Sequence, residues 1–401
     1  VVPERYVVAD VPLLMSMGRT EMLDRFTTFD GRWITAIEGT TVATGTSPPP
    51  AAVNIFGEWI VPGDTDGDGV VAGVSFDYVP FDGGTLLRPF RLFTEADTVE
   101  DFRQAMRHFI GYGGSMIAAD ASGDVLYSAY HAVPERDHLP RNPDGSWVDG
   151  ADPRLLIDGT TYGGFTIPLT ADGRVDAAAA AAGAPNEHVV PESDWPEALS
   201  PARGFVHHAN NDPAGITTDD DLFDDPHYIG GPWIEGYRAE RIEARLTEMI
   251  ADGTATFEAM QALQADHRSN LAASFLGVLL DELDYAQALG SPAAGSSDAR
   301  TRALYDADAA AIDDVQTRLL AWEAAGLRTP SGVETFYSTP AARDAADAVA
   351  TTIFHVWLSR YVRAVLDDEG FGSSMSFAVT GDTFRLGVID RLLRGRGATN
   401  V

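Results

Sequence analysis

The sequence predicts an α+β protein in which a strand-rich first part is followed by a large helical region. In the first part, short runs of β-branched and aromatic residues, such as 32–37 and 70–76, are separated by clusters of Gly, Pro and Asp. Such punctuation is typical of sheets. After Gly230, apolar residues recur every three or four positions, as they do along the buried face of an amphipathic helix. We therefore expect two regions, 1–230 and 231–401.

The prediction of a strand-rich first region rests on several runs with the composition of strands. These runs are 32–37, 70–76, 115–119, 124–128 and 204–208. One helix is predicted among them, because Thr98-Val99-Glu100-Asp101 looks like a capping box and apolar residues then recur on one face. We also expect an insertion near 160–198. Its alanine-rich stretch 177–196 lacks a periodic pattern, which predicts a surface loop or a short helix. The helical region shows its periodicity at 237–249, 257–263, 271–278, 312–322 and 353–366.

Composition excludes some classes of protein. The formal net charge is −32, and all 28 basic residues are Arg. Because binding to nucleic acid needs a basic surface, we expect no nucleic-acid partner. The absence of Cys rules out disulfides and thiolate metal sites. No apolar run is long enough to span a membrane, and no targeting segment is visible. The chain begins without Met, inside an apparent strand, and we therefore expect processing or truncation upstream.

Two acidic loops raise the question of a bound cation. Residues 64–69, Asp-Thr-Asp-Gly-Asp-Gly, match the first half of a calcium-binding loop, in which alternate carboxylates converge on the ion. The twelfth position, where Glu would close the site, is Ser75, which favours an acidic hairpin turn. The second loop, 219–225, is by composition a solvated turn. His207 and His208 are adjacent in a predicted strand, point to opposite faces and are not expected to share a metal ion.

Three further segments occur in a definite order. Residues 118–127 form a predicted hairpin with Asp120 and Gly123 in its turn, followed by Pro-Glu-Arg at 134–136. Residues 204–213 read Gly-Phe-Val-His-His-Ala-Asn-Asn-Asp-Pro, and residues 236–242 read Gly-Tyr-Arg-Ala-Glu-Arg-Ile. In this order and spacing, from about residue 70 to 366, the chain resembles the penicillin acylase family of N-terminal nucleophile hydrolases.

The resemblance implies an αββα sandwich interrupted by a helical region. It also implies the hydrolysis of a linear amide by a Ser that autoproteolysis frees, and whose own α-amino group acts as general base. The substrate would be an N-acyl compound: the side chain of a β-lactam, an acyl-homoserine lactone or a lipopeptide. By the same resemblance, we expect the protein in the periplasm or outside the cell.

Two residues match catalytic positions of the family. Asn210 falls where the family places the side-chain donor of its oxyanion hole, and an amide NH₂ stabilises a developing alkoxide without adding a competing charge. The alternative is a strand-end Asn in an Asx-turn before Asp212-Pro213. Arg238 matches the family's active-site Arg, which orients that Asn and the nearby backbone. The alternative is a salt bridge at the start of a helix with Glu235 or Glu240.

The resemblance also implies a structural calcium ion. In the family, one ligand is the carbonyl of the Pro in an Asp-Pro-Arg segment, and Pro153 occupies that position here. Another ligand is an Asp that precedes Leu-Phe, and Asp221 occupies that position. The remaining calcium carboxylates of the family belong upstream.

The chain departs from the family at its ends. The family nucleophile starts the mature large subunit, whereas this chain starts Val1-Val2. The only Ser-Asn pair, Ser269-Asn270, lies in a helical segment after Asn210, so it cannot supply the nucleophile. We therefore expect an incomplete sandwich. Alone, the chain should be inactive and most ordered after Gly230. Its expected partner is a missing upstream segment or small subunit of the same precursor. The alternative function is a non-catalytic calcium-binding structural or interaction module.

Overall fold

A computed structural model describes most of the chain, and the statements below refer to the described residues. These are 5–9, 20–24, 33–41, 53–55, 58–62, 70–79, 87–110, 113–129, 132–215, 226–230, 233–330, 339–367 and 382–394. By their internal contacts they belong to two compact units. The first comprises Val1–Leu199 with Ala214–Gly231, and the second comprises Ser200–Pro213 with Pro232–Val401.

The strands described belong to the first unit and form three small sheets. They are β1 Arg5–Ala9, β2 Thr20–Asp24, β3 Trp33–Ile37, β4 Thr40–Thr41, β5 Val53–Ile55, β6 Glu58–Pro62, β7 Gly73–Phe76, β8 Met116–Ala119, β9 Val125–Ser128 and β10 Glu197–Leu199. The strand orders are β2-β1-β6-β5, β4-β3-β7 and β10-β9-β8. Strands β1 and β6 pair in parallel, and the other pairs described are antiparallel.

Helices make up the larger share of the regular structure described. They are α1 Leu87–Glu95, α2 Val99–Met106, α3 Ala177–Ala182, α4 Tyr237–Ala251, α5 Phe257–Gln264, α6 Asn270–Ala288, α7 Ser297–Ala307, α8 Ala309–Ala324, α9 Asp344–Leu366 and α10 Asp382–Arg394. The predicted α+β class is confirmed. Among the described residues, no helix has the length and apolar character needed to cross a membrane.

The predicted capping box begins α2. Thr98 accepts a hydrogen bond from the backbone N–H of Asp101, and the Asp101 carboxylate accepts one from the backbone N–H of Thr98. The turn of the β8–β9 hairpin also supports this helix, because Asp120 Oδ2 accepts from the backbone N–H of Val99 at 3.1 Å. That hydrogen bond holds the pKa of Asp120 below its ordinary value. A carboxylate at a helix N-terminus satisfies a backbone donor that would otherwise lack a partner.

Helix α2 and strand β10 are joined by ion pairs. Arg107, 4% exposed, donates from Nη2 to Glu197 Oε2 at 3.0 Å and from Nε to Glu192 Oε1 at 2.6 Å. Arg103 also donates to Glu197, and the hydroxyl of Ser128, in β9, donates to the same carboxylate at 3.1 Å. Removal of one partner would leave a buried charge unpaired, so this network ties α2, β9 and β10 together.

Aromatic and aliphatic side chains of α6, α8 and α9 form the core of the second unit. Phe275, Leu319, Trp322 and Phe354 are at most 1% exposed. The indole N–H of Trp322 donates to the carbonyl of Arg328 at 2.6 Å, so this buried polar group is paired. The segment 200–213 belongs to this unit and reaches the start of α4.

Candidate active site

The candidate site is centred on Asn210, in the segment 200–213. Its φ is 63°, in the left-handed region that Asn adopts more readily than most residues. Backbone hydrogen bonds hold it on both sides: its N–H donates to His208 Nδ1 at 3.3 Å, and its carbonyl accepts from the N–H of Ile234 at 3.0 Å. The preceding Ala209 is buried, whereas Asn210 is exposed. The backbone of Asn210 is therefore held while its side chain projects outward.

The strand predicted over 204–208 is not a regular strand. These residues are described in full and are not part of a sheet. Side chains supply the hydrogen bonds nearby instead, since Asn211 Oδ1 accepts from the N–H of Ala209 at 3.1 Å. The prediction failed because apolar and β-branched composition marks an extended, half-buried segment without showing whether another strand pairs with it.

Arg238 orients the side chain of Asn210. It is the second residue of α4, and its Nη2 donates to Ala209 O at 2.7 Å and to Asn210 Oδ1 at 2.9 Å. A guanidinium has donors only, so the atom facing it must be the amide oxygen. The amide NH₂ of Asn210 therefore points away from Arg238, and in the part of the chain that the structure describes no group accepts a hydrogen bond from it. Glu240, considered as an alternative partner for Arg238, accepts from Asn270 Nδ2 at 2.8 Å.

His208 completes the support of Asn210, and nothing in the sequence pointed to this. Its Nε2 lies 3.2 Å from Asn211 O and its Nδ1 accepts from Asn210 N–H, so the ring carries its proton on Nε2. Burial lowers the pKa of His208, and the charges of His207 and Arg238 lower it further. His207 instead contacts Glu243 Oε2 at 3.2 Å. The two histidines therefore have separate partners.

The residues matched to calcium ligands are described only in part. Pro153 follows Asp152, whose carboxylate accepts from Arg154 Nη2 at 2.6 Å, and this guanidinium holds the pKa of Asp152 below its ordinary value. Asp221 and both acidic loops, 64–69 and 219–225, lie outside the described residues. Within the described residues, no group of three His, Asp or Glu side chains is arranged to hold a metal ion. The described residues alone therefore do not complete a cation site.

Ser269 has a structural role in the described part of the chain. Its Oγ accepts from the backbone N–H of Ala272 at 3.0 Å and so caps α6, and its own backbone N–H donates to Leu327 O at 2.9 Å. An internal amide nitrogen is not basic, so this Ser lacks the free α-amino group that an N-terminal nucleophile uses.

Residues 60–396 match the sequence model of a family described as penicillin amidase. The match covers most of the chain and contains Pro153, Asn210, Asp221 and Arg238. The resemblance predicted from the three ordered segments is thereby confirmed. No curated protein sequence matches the chain.

We predict that His208 stays neutral at physiological pH. Its pKa in the folded protein, measured by NMR titration, should lie below the ordinary value of about 6.5 and should rise in Arg238→Gln, because one nearby positive charge is removed. Since the folded pKa lies below the unfolded one, the stability contributed by neutral His208 is complete above about pH 6.5 and is lost as the pH falls through the folded pKa. Arg245→Gln, further along α4, is the control. A pKa of 6.5 or higher, or an equal rise in the control, would contradict this account.

Proposed function

The chain belongs to the penicillin amidase family, and on that premise we propose that it supplies the oxyanion-binding part of an amide hydrolase with an N-terminal nucleophile. Family membership implies amide hydrolysis in general terms. The observation that carries the finer proposal is the contact between Arg238 Nη2 and Asn210 Oδ1, because it leaves the amide NH₂ of Asn210 available as a donor.

The proposed chemistry is acyl transfer in two steps. A Ser hydroxyl attacks the amide carbonyl while the α-amino group of the same Ser takes its proton, and the carbonyl oxygen becomes an oxyanion. Asn210 Nδ2 donates a hydrogen bond to that oxyanion. The C–N bond then breaks, the amine leaves with the proton, and water hydrolyses the acyl-enzyme to release a carboxylate. Arg238 does not touch the substrate in this scheme; it positions Asn210.

A neutral donor held in advance suits this reaction. The charge on the oxygen is largest in the tetrahedral intermediate, so a donor directed at that position stabilises the transition state more than the substrate. Three features restrict the movement of this amide before substrate binds. They are the left-handed backbone of Asn210, its two backbone hydrogen bonds and the contact with Arg238. Little reorganisation is then needed during the reaction.

We assign the nucleophile to a Ser of the same precursor outside these 401 residues, because the one Ser-Asn pair, at Ser269, caps a helix. The partner in this proposal is the segment or small subunit that carries this Ser. The substrate class is an N-acyl amide: a β-lactam side chain, an acyl-homoserine lactone or a lipopeptide. The family resemblance supports a periplasmic or secreted location.

We further propose a structural calcium ion bound in part by the carbonyl of Pro153 and the carboxylate of Asp221. The match of both residues to the family's calcium segments supports this proposal. Calcium prefers oxygen ligands of this kind.

We predict that Asn210→Ala lowers kcat for amide hydrolysis by about 10²–10³, the usual effect of removing one oxyanion donor. The measurement is steady-state kinetics on the full-length, processed protein with N-acyl substrates. Asn210→Asp should lose at least as much, since it replaces the donor with a negative charge. The matched control is Asn142→Ala, an exposed Asn whose Nδ2 bonds to Ser146 and Trp147. Asn210→Ala with the activity of this control would sink the proposed role.

For calcium, we predict that the full-length, processed protein binds one ion in isothermal titration calorimetry and that Asp221→Asn abolishes this binding. Asp66→Asn, in the other acidic loop, serves as the comparison and should leave binding unchanged. If Asp66→Asn abolishes binding while Asp221→Asn does not, the ion lies in the loop 64–69 and the assignment to Asp221 is wrong. If no calcium binds, the calcium proposal fails and the hydrolase proposal is unaffected.

A further inference from the structure

A cleft of about 430 Å³ lies in the second unit, between the loop that joins α5 to α6 and the loop that follows α8. Its charged and polar lining includes Arg241, Asp266, His267, Arg268 and Arg328. The two loops are joined by backbone hydrogen bonds, from Ser269 N–H to Leu327 O at 2.9 Å and from Thr329 N–H to His267 O at 3.0 Å. Those bonds hold the walls of the cleft at a fixed separation.

Arg268 and Arg328 lie directly opposite each other in an isolated antiparallel bridge. The two backbone hydrogen bonds join the neighbours of these arginines, whereas Arg268 and Arg328 exchange no backbone hydrogen bond with each other. In an antiparallel ladder this arrangement is called a non-hydrogen-bonded pair. In such a pair the two side chains leave the same face and their Cβ atoms are only about 4.5–5.5 Å apart. Like charges placed directly opposite in this way are destabilising.

Asp266, the carboxylate among the described residues that line the cleft, does not offset this pair. Asp266 accepts from Arg241 Nη2 at 2.6 Å and lies 3.8 Å from Arg245 Nε. Burial raises the pKa of Asp266, but hydrogen bonds from Arg241 and from the backbone of Arg268 outweigh burial and hold it below its ordinary value. Asp266 is thus ionised and committed to Arg241.

The side-chain partners of the two opposed arginines are an amide oxygen and an imidazole nitrogen. Arg268 Nη1 donates to Asn270 Oδ1, and Arg328 Nη2 lies 3.4 Å from His267 Nε2. Among the described residues, no carboxylate forms an ion pair with either of them. Two arginines opposed across a bridge, without an ion-pair partner among the described residues, are unexpected in a chain of net charge −32, which has acidic residues in excess.

We propose that this cleft binds a small oxyanion, a phosphate or a carboxylate, that presents its oxygens to the guanidiniums of Arg268 and Arg328. Planar guanidinium groups match the oxygens of both anions, and hydrogen bonds between ionised partners are the stronger kind. The bound anion supplies the missing counter-charge and removes the repulsion across the bridge. The proposal does not depend on amide hydrolysis, since none of its residues is part of the Asn210 site.

The test is isothermal titration calorimetry on the whole protein with inorganic phosphate and, separately, with succinate, against chloride at the same ionic strength. We expect one anion per chain, with affinity reduced at least about ten-fold in Arg268→Gln and in Arg328→Gln. Arg318→Gln is the matched control, because Arg318 is an exposed residue of α8 paired with Asp314, and it should bind as wild type does. Tighter binding of phosphate or of succinate identifies the preferred class of anion.

Thermal unfolding without added anion separates binding from a structural role. Arg328→Gln should unfold at the same temperature as wild type or higher, because it relieves repulsion and keeps the backbone carbonyl that accepts from Trp322. The proposal is overturned if neither anion binds beyond chloride, or if Arg318→Gln weakens binding as much as the cleft variants do. It is also overturned if Arg328→Gln lowers the unfolding temperature while binding is unchanged.

Discussion

The hydrogen bonds from Arg238 to Ala209 O and Asn210 Oδ1 are the interactions on which the candidate site depends. They join the start of a helix to the segment 200–213, which is part of none of the sheets described. They also decide which end of the Asn210 amide faces outward, because a guanidinium can only donate. Without them, the amide could rotate and present either its oxygen or its NH₂ to a substrate.

Helix α4 holds Arg238 in place through its neighbours along the chain. Tyr237 packs against the core of the second unit, with its ring centroid 6.4 Å from that of Phe275. Arg241, one turn further on, is paired with Asp266 at 2.6 Å. Arg238 therefore lies between an aromatic contact and an ion pair. The same ion pair forms one side of the cleft that contains Arg268 and Arg328, so the start of α4 contributes to both sites.

The sequence was informative where the signal is local or follows an ordered pattern. Three features were predicted from neighbouring residues and are present in the structure. They are the capping box at Thr98, the turn from Asp120 to Gly123 and the helices after Gly230. The family was identified from three segments in order, and that order also pointed to Asn210 and Arg238. Their contact shows that the two residues lie together, while their catalytic roles remain proposals.

What the sequence could not show arises from contacts between distant segments. Composition alone did not reveal that 204–208 pairs with none of the described strands, or that 200–213 clusters with the helices of the second unit. His208 supports Asn210 through contacts of its two ring nitrogens with backbone atoms of Asn210 and Asn211. These contacts depend on how the chain folds, so the sequence did not show them. The opposition of Arg268 and Arg328 comes from a bridge between two loops far apart in the chain, and no local pattern marks such a pair.

The most direct measurement of the central claim is a double-mutant cycle on kcat/KM in the full-length, processed protein, made from Asn210→Ala and Arg238→Gln. If Arg238 acts by orienting the Asn210 amide, its replacement lowers activity only while Asn210 is present. The account therefore predicts that the double variant is no less active than Asn210→Ala alone. Additive losses would contradict it, because they would show that Arg238 contributes to the reaction by a route independent of Asn210.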